Sequence, residues 1–169
     1  MTKPECYLCT VWHTGTKYFK AGLEKKYRVA YSHFNESVLR QIPNYEEVYT
    51  TYRDPYRVAA SWGNRGHFSH RDNSGVYAKW DAQWECYKEA LRLNPIILDF
   101  TQGQIQHDID FGEEVINSHA DAKHFHRELD NGNIDYLFRS IPQKHIDHAI
   151  ECAKAATERT ANHEKTDVS

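Results

Sequence analysis

What most constrains this chain is the regular alternation, over its first hundred residues, of short β-rich apolar runs with segments of helical period. Residues 6–12 read as a buried strand, followed by the polar turn His13-Thr14-Gly15-Thr16. Tyr18, Phe19, Gly22 and Leu23 then recur at helical spacing, ending near Lys25-Lys26, where cations suit a helix C-terminus. Residues 27–34 read as a second strand, stopped at Asn35-Glu36-Ser37. Val38, Leu39 and Ile42 predict a short helix closed by Pro43-Asn44, and residues 47–52 a third strand. Asp54-Pro55 starts a helix through Val58, Ala59 and Trp62, because Asp is a good N-cap and Pro is favoured at the first helical position.

The second half is less regular. Residues 66–75 are polar and rich in His and Arg, which predicts a loop. Trp80, Trp84, Tyr87 and Leu91 define an amphipathic helix over 78–92, broken by Asn94-Pro95, and residues 96–100 form a fourth strand. Residues 111–129 are expected to hold one or two helices. Ser140-Ile141-Pro142 opens a final helix through about Thr160, and residues 161–169 read as a frayed tail. Strands alternating with helices in this order imply one three-layer α/β/α domain over residues 1–160, with a small, mainly parallel sheet and a helical C-terminal part.

Composition narrows the classes. Aromatics make up 13% of the residues, too much buried area for a disordered chain. No apolar run approaches the roughly 20 residues of a membrane span, and Met1-Thr2-Lys3-Pro4-Glu5 precedes no apolar signal segment, so a cytoplasmic protein is expected. The four cysteines, Cys6, Cys9, Cys86 and Cys152, are scattered and do not read as a disulfide frame. Cys6-Tyr7-Leu8-Cys9 is C-x-x-C in form, but it lies in an apolar run with no second pair, which favours strand packing. Residues 1–80 carry 12 Lys/Arg against 7 Asp/Glu and residues 81–169 carry 9 against 17, a split of +5 and −8 within a net −3. That pattern points to a local anionic ligand in the first half and away from a broad nucleic-acid surface.

The turn after the first strand is the natural place for that ligand. Ligands of parallel α/β sheets bind at the C-terminal strand ends, and a helix N-terminus there offers free N–H groups to an anion. His13-Thr14-Gly15-Thr16-Lys17 adds a glycine for close backbone approach, two hydroxyls and a cation. It is not a Walker A loop, which would need Gly at position 10 and Lys at position 16, both Thr here. At the end of the third strand stands Arg53-Asp54-Pro55, with Ser61 eight residues after the Arg. An Arg leaving a strand and a Ser on the next helix are suited to converge on one anion.

These residues resemble the sulfotransferase family of P-loop-like enzymes over about residues 6–65. The family's first loop has the form K-[ST]-G-T-[TS], which His13-Thr14-Gly15-Thr16-Lys17 looks like, with His13 where the family has Lys. Its R-[ND]-P followed by a Ser eight residues after the Arg is matched by Arg53-Asp54-Pro55 and Ser61, and Ser32-His33-Phe34 sits where cytosolic members carry a catalytic His. The resemblance implies sulfuryl transfer from 3′-phosphoadenosine 5′-phosphosulfate to a hydroxyl or amine. It implies a 5′-phosphosulfate held by His13, Thr14, Gly15, Thr16 and Lys17, and a 3′-phosphate held by Arg53 and Ser61. Thr101, at the fourth strand, would contact the nucleotide. His33 would serve as base, with Lys17 and His13 on the leaving oxygen and no metal needed. No match exists to the family's C-terminal basic Gly loop; Arg139, Lys144 and the Arg65/Arg71 region are the substitutes on offer.

Other readings are weaker. His107, Asp108, Asp110, His119, His124 and His126 fit no common metal spacing and read as an acidic helical surface. A kinase-like phosphate-binding protein would need the missing Walker Lys and an acidic magnesium ligand after a strand. A relative that binds nucleotide without catalysis is the remaining alternative. The acceptor is not legible.

Overall fold

The structure, a computed structural model, describes residues 3–64, 73–100, 105–112 and 141–168. Its centre is strand β1 (Glu5–Thr10), whose five residues after Glu5 are all buried. Burial without alternation is what a parallel strand covered on both faces requires. β2 (Arg28–His33), β3 (Val48–Tyr52) and β4 (Ile96–Asp99) complete a parallel four-stranded sheet in the order β2-β1-β3-β4. Cys9 lies opposite Ser32 on one side and Thr50 on the other, so the tips of β1, β2 and β3 end level.

Helices cover both faces. Cys6 and Leu8 of β1, with Tyr49 and Leu98, pack against α1 (Thr16–Leu23) through Tyr18, Phe19 and Leu23. Tyr7 and Cys9 point the other way, into a larger core built from α2 (Glu36–Gln41), α3 (Pro55–Asn64), α4 (Ser74–Leu91) and the final helix α5 (Gln143–Val168). This is the helix–sheet–helix layering expected of a chain in which β-strands and helices alternate. The strand geometry also disposes of the C-x-x-C reading. Cys6 and Cys9 are three apart on a strand, so their thiols enter opposite cores and cannot share a ligand. All four cysteines are buried and unpaired, and burial pushes Cys6, Cys9 and Cys152 up to about 12.

The aromatic stripe is core. Trp62, Trp80 and Trp84 are 0–1% exposed, Trp80 lying edge-on to Trp62 at 5.3 Å and Trp84 edge-on to Tyr87 at 5.3 Å. α5 reaches this cluster with Ile146 and with Ala149, Ala153 and Ala156, three small residues at helical spacing that let α4 and α5 approach closely. Trp80 donates from Nε1 to the His145 carbonyl at 3.0 Å, and Arg159 donates to the Leu91 carbonyl and to Asn94 Oδ1.

Several expectations are corrected. α4 begins at Ser74, inside the segment read as a loop, and α5 continues to Val168 through the residues read as a tail. His107, Asp108 and Asp110 are not on a helix. Ile105–Gln106 and Ile109–Asp110 are short antiparallel strands, β5 and β6, joined by His107-Asp108 with φ of 52° and 64°. Two successive positive φ values mark the hairpin turn whose twist matches its strands, and Asp tolerates that conformation. Phe111, just after the hairpin, packs edge-on to Phe19 at 5.2 Å, and Tyr18 donates to the Gly112 carbonyl at 2.6 Å. Residues 65–72 and most of 111–129, together with His119, His124, His126, Arg65, Arg71 and Arg139, lie outside the described residues. Among the described residues, no helix is long and apolar enough to cross a membrane.

Trp80→Ala should lower unfolding free energy in urea by about 3–5 kcal/mol, the usual cost of emptying a large aromatic from a packed core. Leu93→Ala, at a side chain 51% exposed, should stay within about 0.5 kcal/mol.

Candidate functional site

The strand order reverses direction between β1 and β3, since the chain runs outward from β1 to β2 and then crosses over to β3. In doubly wound sheets of this order the crevice at the carboxyl ends of those two strands is where ligands bind. Both sequence-derived loops flank it. The turn from Val11 to Gly15 leaves β1, and Arg53 leaves β3.

The turn is stitched by hydroxyls. Thr14, 1% exposed, donates to the Val11 carbonyl at 2.7 Å. Its only proton is then spent, so the Thr51 hydroxyl of β3 donates to Thr14 Oγ1 at 2.6 Å. Thr14 therefore ties the turn to β3. Gly15 is at φ 91°, and a Cβ there would lie 2.3 Å from the Phe100 ring. Glycine is required on both counts, and the neighbour that closes on its backbone is a protein side chain. His13 also adopts a left-handed conformation, φ 65°. α1 starts immediately afterwards, its first turn closed by the Phe19 N–H donating to the Gly15 carbonyl at 3.0 Å. The N–H groups of Thr16, Lys17 and Tyr18 precede that bond, at the positive end of the helix dipole. Lys17 is exposed on this first turn.

Arg53 reaches from the end of β3 to the turn after β1. Its Nη1 donates to the His13 carbonyl at 2.9 Å, and its guanidinium lies 4.5 Å over the Phe100 ring. No carboxylate among the described residues forms an ion pair with it. Burial, with Arg57 nearby, pulls the guanidinium down to about 10, while Asp54 acts in the opposite sense. A cation that has lost part of its own hydration in this way interacts more strongly with an anion that reaches it than an exposed one would. Asp54 itself serves the helix, accepting from the Tyr56 N–H at 2.9 Å as α3's cap. Ser61 is half-buried on α3, and no hydrogen bond joins it to Arg53 or the turn among the described residues. Thr101 lies outside the described residues.

His33 ends β2 on the other side of β1. Its Nδ1 is 3.1 Å from Thr10 Oγ1, which is 2.8 Å from Thr16 Oγ1. The three form a continuous polar chain from β2 through β1 to the first residue of α1. The ring lies edge-on to Trp12 at 5.5 Å, and Lys79 Nζ stands 3.4 Å over the same Trp12 ring. Burial holds His33 below the ordinary imidazole value, the nearby Lys79 adds to this, and the Thr10 contact partly offsets it. The structure thus joins His13, Thr14, Gly15 and Arg53 at the tips of β1 and β3 and links His33 to Thr16 through Thr10.

Three residues that sequence reasoning passed over organise the site. Thr10 and Thr51 are fully buried hydroxyls at strand ends, and Phe100 links Gly15 to Arg53. The only signal for the threonines is a polar residue closing an apolar strand, which is common and therefore weak. No protein-family model, curated protein or solved structure matches the chain.

Because His33 is held below 6.5 in the folded state, the unfolded chain takes up its proton first as pH falls. This histidine's contribution is therefore complete above about pH 6.5 and is lost as pH falls from there through the lower native value. Urea midpoints compared between about pH 7.5 and 5 should fall less in His33→Gln than in the wild type. Parallel pH curves for the two proteins would contradict a neutral His33.

Proposed function

We propose that the tips of β1 and β3 bind the anionic ends of an adenosine nucleotide, and that the protein transfers a sulfuryl group from 3′-phosphoadenosine 5′-phosphosulfate to a hydroxyl or amine acceptor. The observation that carries the binding half is Arg53. It reaches from β3 onto the His13 carbonyl with no carboxylate partner among the described residues, at the crevice where doubly wound sheets bind ligands. The choice of donor rests on the residue pattern His13-Thr14-Gly15-Thr16-Lys17 with Arg53-Asp54-Pro55 and Ser61, since anion binding at such a crevice is general.

In this reading the first N–H groups of α1 and the Lys17 amine receive the phosphosulfate, and Arg53 receives the second phosphate. Thr14 acts by fixing the turn, its hydroxyl already being engaged with Val11 and Thr51. His33 takes the proton of the acceptor. That role calls for the tautomer in which Nδ1–H donates to Thr10 Oγ1, leaving the Nε2 lone pair for the proton. The acceptor oxygen or nitrogen forms its bond to sulfur as the bond to the phosphate oxygen breaks, and adenosine 3′,5′-bisphosphate leaves. Charge growing on that oxygen is met by the helix N–H groups, by Lys17 and by His13. A depressed imidazole keeps His33 unprotonated at neutral pH, the state a base requires.

A second reading, nucleotide binding without transfer, is favoured by one feature: His13 stands where the resembled loop has Lys. The two separate in a single series. Calorimetric titration with adenosine 3′,5′-bisphosphate should show binding that Arg53→Ala weakens by about 10–100-fold, the loss of a charge-assisted hydrogen bond. ATP should bind less well. His33→Ala should retain nucleotide affinity and lower sulfuryl transfer by about 10²–10⁴-fold. Equal affinity in wild type and Arg53→Ala would overturn the site, while binding with no turnover on a broad acceptor panel would favour the second reading.

A further inference from the structure

Away from the strand tips, the facing surfaces of α4 and α5 carry a second group of chemically active side chains. Asp81 and Glu85 are one turn apart on α4, and His145, His148 and Cys152 follow one another down the opposing face of α5. Asp81 Oδ2 meets His145 Nδ1 at 2.8 Å. One turn further, Glu85 Oε1 lies 3.2 Å from His148 Nε2 and 3.9 Å from Cys152 Sγ, and Sγ lies 3.6 Å from the same Nε2.

We propose that Glu85, His148 and Cys152 form a zinc-binding site that fastens α5 to α4, with water in the fourth position. Bond lengths of about 2.0–2.3 Å in a tetrahedron place oxygen and nitrogen about 3.4 Å apart, and each of them about 3.6 Å from sulfur. The three observed separations of 3.2, 3.6 and 3.9 Å fall within about 0.3 Å of those edges, so an ion fits between the donors with no backbone movement.

The way the donors meet excludes the obvious alternative. A cysteine nucleophile activated by a histidine uses both ring nitrogens, one toward the thiol and the other toward an orienting carboxylate. Here Glu85 and Cys152 both face Nε2, so the three atoms surround a common point and do not form a relay. An imidazole, a thiolate and a carboxylate together suit zinc, whereas magnesium and calcium take oxygen sets. Cys152 is 2% exposed, but the His148 and Glu85 side chains are 31% and 50% exposed. The site is therefore closed on the sulfur side and open to solvent on the other, as ion entry and a bound water require. The thiol proton passes to solvent on binding, and the thiolate and carboxylate together balance the dication. Lys88 nearby is countered by Asp81. Zinc binding at this helix seam is independent of what the strand tips hold.

The test uses the full chain, stripped of metal with a chelator and titrated with Co²⁺ as a spectroscopic stand-in for zinc. One equivalent should give a thiolate-to-cobalt charge-transfer band, which Zn²⁺ then displaces. The band reports sulfur ligation, so any cobalt held by other histidines of the chain does not contribute to it. Cys152→Ser should abolish it and Cys86→Ser should leave it intact. His148→Gln and Glu85→Gln should each weaken cobalt affinity by at least about tenfold. Those two positions are solvent-facing, so they report even where Cys152→Ser fails to fold, and circular dichroism checks each variant for helix. No band in the wild type, or a band of unchanged affinity in His148→Gln and Glu85→Gln, would overturn the site.

Discussion

One buried hydroxyl pair holds the carboxyl end of the sheet together: Thr51 of β3 donates to Thr14, which donates to the Val11 carbonyl. Both residues are buried, so losing either bond would leave a hydroxyl unpaired away from water, and that cost holds the pair in place. Because Thr14 is pinned in this way, the turn after β1 takes the left-handed positions at His13 and Gly15 and delivers α1 with its N-terminus toward the crevice. The His13 carbonyl is turned toward β3 by the same path, and Arg53 bonds it there. Removing the threonine pair would therefore disturb the helix start and the arginine together.

The electrostatics of the two sides differ for a common reason, which is partial burial. Arg53 remains a cation while losing hydration, and it leans on Phe100 and a carbonyl, neither of which neutralises it. His33 responds to the same loss of water by remaining neutral, since imidazole can release its proton near neutrality and guanidinium cannot. The sheet tips thus combine a retained positive charge beside β3 with a neutral proton acceptor at β2. The α4–α5 seam is the opposite case, in which acidic and basic groups meet in pairs at a helix interface.

Much of the fold was legible because its signals are local. The four strands were read in order, as was the α3 start at Asp54-Pro55, since β-branched apolar runs and an Asp-Pro cap act within a few residues. The errors lie where local signals are weak. Ser74-Gly75 looks like a turn yet begins α4, because Val76, Tyr77 and Trp80 gain burial by continuing the helix. His107-Asp108 lacks the glycine that announces a hairpin, so two strands were missed; they are held by Gln106, which brackets Asp99 with two 2.8 Å bonds. The Glu85–His148–Cys152 group escaped notice because its first member is 67 residues from its last, and His148 to Cys152 alone is an ordinary helical spacing.

The amino-acid sequence alone determined that this chain alternates strand and helix, buries its aromatics and carries a glycine turn and an arginine after two successive β-runs. Those properties come from side-chain shape and short-range periodicity, which need no knowledge of neighbours. Only the tertiary structure decided that β1 lies between β2 and β3, that Arg53 reaches the turn, and that Phe100 occupies the space a side chain at residue 15 would need. Strand order is set by how crossover helices cover the two faces of the sheet, and that is a property of the whole packed chain, which no short stretch of it records.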